Sequence, residues 1–124
     1  MSGFDQPTFD RTALDELGQA TDGDNSFLVE LIETYLADAE GQVEAIDAAI
    51  AATDAEALVR PAHTLKSSSA SVGAMRLAAM ARGLEAQARA GQLADAPAAA
   101  AAARLEWGEV SANLRALAAD LAAR

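Results

Sequence analysis

Four stretches of this chain repeat their apolar residues at spacings of three and four, a period that packed helices satisfy and strands do not. The first opens at Asp24-Asn25, both good N-cap residues, and runs to about residue 52 with a stripe of Leu28, Ile32, Tyr35, Ala39, Val43, Ile46 and Ile50. The second, about 54–73, opens at Thr53-x-x-Glu56, which reads as a capping box. It turns Leu58, Ala62, Leu65, Ser69 and Val72 inward before Gly73 ends or bends it. The third, about 74–90, uses Leu77, Met80, Ala81, Leu84 and Ala88, with Gly91 at the C-cap position. The fourth, about 96–122, has proline in its first turn, where it is tolerated, and carries Trp107, Val110, Leu114, Leu117 and Leu121. A shorter segment at about 10–20, with Leu14 and Leu17, is expected to form a small helix over one end. Helices joined by short connections settle as antiparallel neighbours. The expected fold is all-α: an antiparallel up-and-down four-helix bundle with a short extra N-terminal helix, in one domain over 1–124.

Composition supports the same class. Alanine fills 34 of 124 positions, and it is the residue that gives up least on entering a helix. With no cysteine, disulfides and thiolate metal sites are excluded. The first residues, MSGFDQPTFD, lack the basic and apolar regions of a secretory signal, and no apolar run approaches the roughly 18 residues of a membrane span. A cytoplasmic protein is therefore expected. The formal net charge of −10 argues against nucleic acid and anionic membrane as partners. The charge is uneven: residues 1–56 hold 14 acids and one base, whereas residues 57–124 hold five acids and eight bases. Such asymmetry suits a face for an acidic partner, although solvated helix faces that merely differ would look the same.

The chain has one histidine and one lysine, three residues apart in His63-Thr64-Leu65-Lys66. At that spacing the side chains share one side of a helix. Relative to the inward stripe, His63 projects roughly 140° away and Lys66 roughly 80°. The imidazole is thus expected on the outer surface beside Val59, Ser67 and Ala70 rather than in the core. A metal site lacks further His or Cys ligands, and the nearest acid upstream, Glu56, lies two turns away. A hydrolytic triad has Ser67 one turn on, but Val59 and Arg60 stand where an orienting acid would be expected. Nucleophilic group transfer fits better. A neutral imidazole can take up a phosphoryl group, and Lys66 supplies a cation for its oxygens. That chemistry would suit many exposed His-Lys pairs, and an idle surface histidine stays open at this point.

The run Ala62-His63-Thr64-Leu65-Lys66-Ser67-Ser68-Ser69-Ala70-Ser71-Val72-Gly73-Ala74 resembles the signature of histidine-containing phosphotransfer (HPt) domains. In that family AHxLK is followed by small residues and a Gly-Ala turn. Leu77, Leu84 and Glu85 extend the likeness into the next helix, where the family commonly has a Leu-Glu pair. Asp24 to Leu36 is similar to its acidic-capped Phe-Leu helix. The resemblance covers about 9–90, and the last helix agrees in type only. It implies a four-helix bundle with His63 as phosphoacceptor and Lys66 as the stabiliser of phosphoryl charge. It further implies exchange with the aspartyl phosphate of receiver domains, in a hybrid histidine kinase and in response regulators. The receiver would contribute Mg2+ and an acidic pocket, and this chain no cofactor. No Gly-rich phosphate loop is present, in keeping with a carrier that has no autokinase activity. Val59, Ser67, Ala70 and Leu14 are the candidate docking residues, and a monomer is expected.

Two positions depart from the common pattern. Ser67 stands where the family often has glycine, and it is small enough for close docking. Pro61 removes a backbone bond to Ala57 and is expected to kink the helix just before His63. The alternative function is an HPt-like interaction module that binds a receiver or kinase without phosphotransfer. A further one is the phosphoacceptor domain of a chemotaxis-type kinase. The methionine start and a helix reaching Arg124 favour a complete small protein over that reading.

Overall fold

The computed structural model describes Thr8, Phe9, Glu16 and residues 24–123. The helix expected at about 10–20, and Leu14 with it, lies outside the described residues save for Glu16. The described chain forms four helices, α1 (Asn25–Ala51), α2 (Ala55–Ser71), α3 (Met75–Ala90) and α4 (Ala96–Ala122), and no strand. Each packs against the helix before and after it, and α4 closes back on α1. Connections at 52–54, 72–74 and 91–95 are too short for anything but antiparallel neighbours.

The inward stripes are buried as the period requires. Ile32, Leu58, Leu65, Leu77, Leu84, Val110 and Leu114 are almost fully enclosed, and small alanines at 39, 62, 81, 88, 100 and 103 let the helices approach. Leu28, Ile50, Met80 and Leu117 lie at the edge of that core rather than inside it.

The helix ends explain where the chain turns. Asp24 caps α1, its carboxylate accepting from the amides of Ser26 and Phe27. At the α1–α2 joint the expected capping box is not formed. Asp54, not Thr53, is the N-cap of α2, and its carboxylate accepts from the amide of Ala57 at 3.0 Å. Thr53 instead belongs to the end of α1. It takes a left-handed φ of 50°, with its amide on Ile50 O and that of Asp54 on Ala49 O, a Schellman arrangement. Reversing the chain in three residues leaves Thr53 no geometry from which to cap α2. Gly73, with φ 79°, closes α2 by the same pattern through Ser69 O and Ala70 O. Pro61 is buried inside α2, and the helix continues through it.

The serine run, a poor choice for a helix interior, survives because its hydroxyls are occupied. Ser68 and Ser71 donate to the carbonyls of Thr64 and Ser67 one turn back. Ser69 is fully buried and shares a 2.8 Å hydrogen bond with the hydroxyl of Tyr35 on α1.

Candidate functional site

His63 lies near the middle of α2, with its side chain 53% exposed, on the face away from Leu58, Ala62 and Leu65. Its neighbour across the helix pair is Glu85 of α3. Oε2 of Glu85 lies 3.0 Å from Nδ1 of His63, and Oε1 accepts a 2.6 Å hydrogen bond from Nζ of Lys66. Arg89, one turn further along α3, donates to the same Oε2 through Nε at 3.0 Å and Nη2 at 2.8 Å. The spacing of three that pairs His63 with Lys66 on α2 thus places both against one carboxylate on α3.

Glu85 is buried, yet its carboxyl is held down to about 2. The Lys66 hydrogen bond is the main cause, followed by Arg89 and then His63, against an opposing effect of burial. At neutral pH Glu85 is therefore a carboxylate and can only accept. Nδ1 of His63 therefore donates in this contact, and in the neutral imidazole Nε2 is then the nitrogen that keeps its lone pair.

An acid does orient His63, contrary to the expectation from α2 alone, and it comes from the neighbouring helix. A hydrolytic triad is still not assembled among the described residues. Ser67 is exposed, and its hydroxyl makes no hydrogen bond to the ring. No cluster of three or more His, Cys, Asp or Glu side chains that could hold a metal ion occurs among the described residues.

The other candidates fall around this centre unequally. Ser67 and Ala70 are exposed on α2, and Val59 is half-buried against the edge of the core. The sequence likeness singles out Glu85 only as part of a Leu-Glu pair and assigns it no role. A signal was there to be read: it is the single acid of α3, set among Arg76, Arg82 and Arg89, directly after the core residue Leu84.

The model of the Hpt domain family matches residues 30–123. This chain belongs to the Hpt domain family. The match takes in α4, for which the sequence likeness was of type only. Among solved structures, the crystal structure of histidine-containing phosphotransfer protein B (HptB) from Pseudomonas aeruginosa PAO1 is similar, with a TM-score of 0.86 and 30% identity. The alignment covers 92% of this chain and 96% of that one. No curated protein matches. The Hpt chain is thus a phosphotransfer protein of two-component phosphorelay type, a class that meets receiver domains. No helix among the described residues is long and apolar enough to cross a membrane.

Proposed function

We propose that this Hpt protein carries phosphoryl groups on Nε2 of His63, taking them from the aspartyl phosphate of one receiver domain and returning them to another. The observation that carries this reading is the Glu85–His63 contact, which puts the proton on Nδ1 and leaves Nε2 as an exposed nucleophile. In the forward step the Nε2 lone pair forms the P–N bond as the P–O bond of the acyl phosphate breaks. The bonding pair leaves with the aspartate carboxylate, and the imidazole proton stays on Nδ1. The ring gains positive charge as the bond forms, and the Glu85 carboxylate beside Nδ1 stabilises it. Lys66, a point charge with donors to spare beyond its bond to Glu85, compensates the phosphoryl oxygens. The reverse step uses the same groups, so transfer is reversible.

The protein supplies no cofactor of its own in this scheme, and the receiver brings Mg2+ to its acidic pocket. Ser67, Ala70 and Val59 form the docking surface around the imidazole, and Leu14, which lies outside the described residues, is the further docking residue expected from sequence. A hybrid histidine kinase and a response regulator are the partner classes, and the protein acts as a cytoplasmic monomer.

The test is phosphotransfer from a phosphorylated receiver to the wild type, His63→Gln and Lys66→Ala. Acid-labile label is expected on the wild type and absent from His63→Gln, and transfer to Lys66→Ala is slowed by roughly 10–100-fold. Receiver binding without label on the wild type would move the protein to the class of non-catalytic interaction modules.

A further inference from the structure

Four serines follow Lys66 in α2, and three have their hydroxyls engaged within the fold. Ser68 donates to the carbonyls of Thr64 and Leu65, Ser71 donates to that of Ser67, and buried Ser69 is bonded to Tyr35. Ser67 is exposed, and its hydroxyl has no partner among the described residues. Arg60, one turn before His63, is likewise exposed and joined to no carboxylate among them, although Glu56 lies one turn further back. Resting on the assignment of His63 as phosphoacceptor, we propose that Arg60 and Ser67 are a second set of phosphoryl contacts, which hold the group on Nε2 between receivers.

Helix geometry puts both on one side of the imidazole. α2 is helical without a break from Ala55 to Ser71, so successive side chains turn by roughly 100°. Viewed along the axis, Lys66 stands roughly 60° to one side of His63, the side of α3, where it meets Glu85. Ser67 and Arg60 stand roughly 40° and 60° to the other side. Nδ1 is turned to Glu85, so Nε2 occupies the edge of the ring remote from that carboxylate. A phosphoryl group there projects toward the side that Arg60 and Ser67 hold. Side chains on a helix lean toward its N-terminus, which tips the Ser67 hydroxyl over His63 and the imidazole over the turn that carries Arg60.

The charges around the ring leave a place for one more cation. Lys66 and Arg89 together face the single carboxylate of Glu85, a net of +1 from two cations and one anion. A phosphoryl group brings about two negative charges. Arg60 supplies the balance, and its planar fork suits two phosphoryl oxygens at once. Ser67 adds a neutral hydrogen bond to the same oxygens. In a loose transition state those oxygens give up charge as the P–N bond breaks, so contacts that favour the dianion lengthen the life of the phosphohistidine.

The experiment uses phosphoramidate, a small donor whose P–N bond breaks with loss of ammonia as Nε2 forms its own bond to phosphorus. It loads His63 without any receiver, so docking does not enter, and His63→Gln is the control. Two properties of the loaded protein are measured: the lifetime of the phosphohistidine, and a phosphorus-31 NMR titration of its phosphoryl group. Arg60→Gln and Ser67→Ala are each expected to shorten the lifetime roughly two- to five-fold. Melting temperatures stay unchanged, because neither side chain is bonded into the fold. Arg60→Gln also raises the pH at which the dianion takes up a proton by roughly half a unit, an effect that disappears in molar salt. Arg60→Lys keeps the charge and most of that shift, and Ser67→Thr keeps the hydroxyl and the wild-type lifetime. Wild-type lifetimes in both Arg60→Gln and Ser67→Ala, with an unmoved titration, would overturn the proposal. Label on His63→Gln equal to that on the wild type would instead overturn the acceptor assignment, and this proposal with it.

Discussion

Glu85 ties the imidazole of His63 to the stability of the fold through one side chain. Three residues from two helices donate to it, and hydrogen bonds to a charged acceptor are among the stronger polar contributions to folding, about 1.5–3 kcal/mol each. Its carboxyl is held near 2 in the folded protein, below its ordinary value of 4.5. The stabilisation from this group is therefore complete above about pH 4.5 and is lost as pH falls toward 2. Glu85→Gln is expected to lower the unfolding free energy at pH 7 by about 1–3 kcal/mol. The gap between variant and wild type should close steadily in urea titrations taken from pH 5 down to pH 3. A gap that stays constant over that range would show that the lost stability comes from packing instead of charge. At the same residue scale, His63 and Lys66 were legible from sequence because three residues on one helix fix their proximity. The acid between them was not, since nothing local ties residue 85 to residue 63.

At the scale of the helices, the α1–α2 joint divides its work between two adjacent residues. Thr53 carries the left-handed turn, and a β-branched residue with φ of 50° is strained there, while Asp54 caps the next helix. Thr53→Gly should therefore raise stability by roughly 0.5–1 kcal/mol, a small upward shift in melting temperature. Asp54→Ala should lower it by about 1 kcal/mol through loss of the bond to the Ala57 amide. Were Thr53 the cap of α2, its replacement by glycine would not stabilise, so the pair of measurements separates the two arrangements. The sequence pattern Thr-x-x-Glu suggested a cap because it reads three-residue spacing alone. Which residue can serve as cap is settled by how the preceding helix ends, and a three-residue connection forces that role onto Asp54.

For the whole molecule, the closing contact is between α1 and α4, with α2 joined to it by a polar link. Tyr35 of α1 packs edge-on to Trp107 of α4, with ring centroids 5.9 Å apart, while its hydroxyl meets the buried Ser69 of α2. The Trp107 indole N–H donates in turn to Glu40 of α1. Burial pushes the Tyr35 phenol up to about 12, against a smaller opposing effect of the Ser69 bond. Stability linked to this phenol is present in full below pH 10 and is lost as pH rises toward 12. Tyr35 is the only tyrosine, so the near-ultraviolet absorbance titration of the protein follows this residue alone. It should show no ionisation until the pH is well above 10. Tyr35→Phe, which leaves the Ser69 hydroxyl buried and unpartnered, should cost about 1–3 kcal/mol in chemical denaturation.

The sequence by itself determined the helices, their inward faces and the exposure of His63. All three follow from a period of 3.6 residues read against which side chains avoid water, which is local information. It also placed Lys66 beside the imidazole, and its motif pointed to the Hpt family. Tertiary structure alone decided that Glu85 and Arg89 of α3 face His63 and Lys66, and that the Glu85 carboxylate accepts from Nδ1 rather than Nε2 of the imidazole. It alone likewise paired Tyr35 with Ser69 and Trp107. Those contacts join residues 19 to 72 positions apart in the chain, and their geometry is set by how neighbouring helices slide and rotate as their cores interlock. No local spacing carries that information.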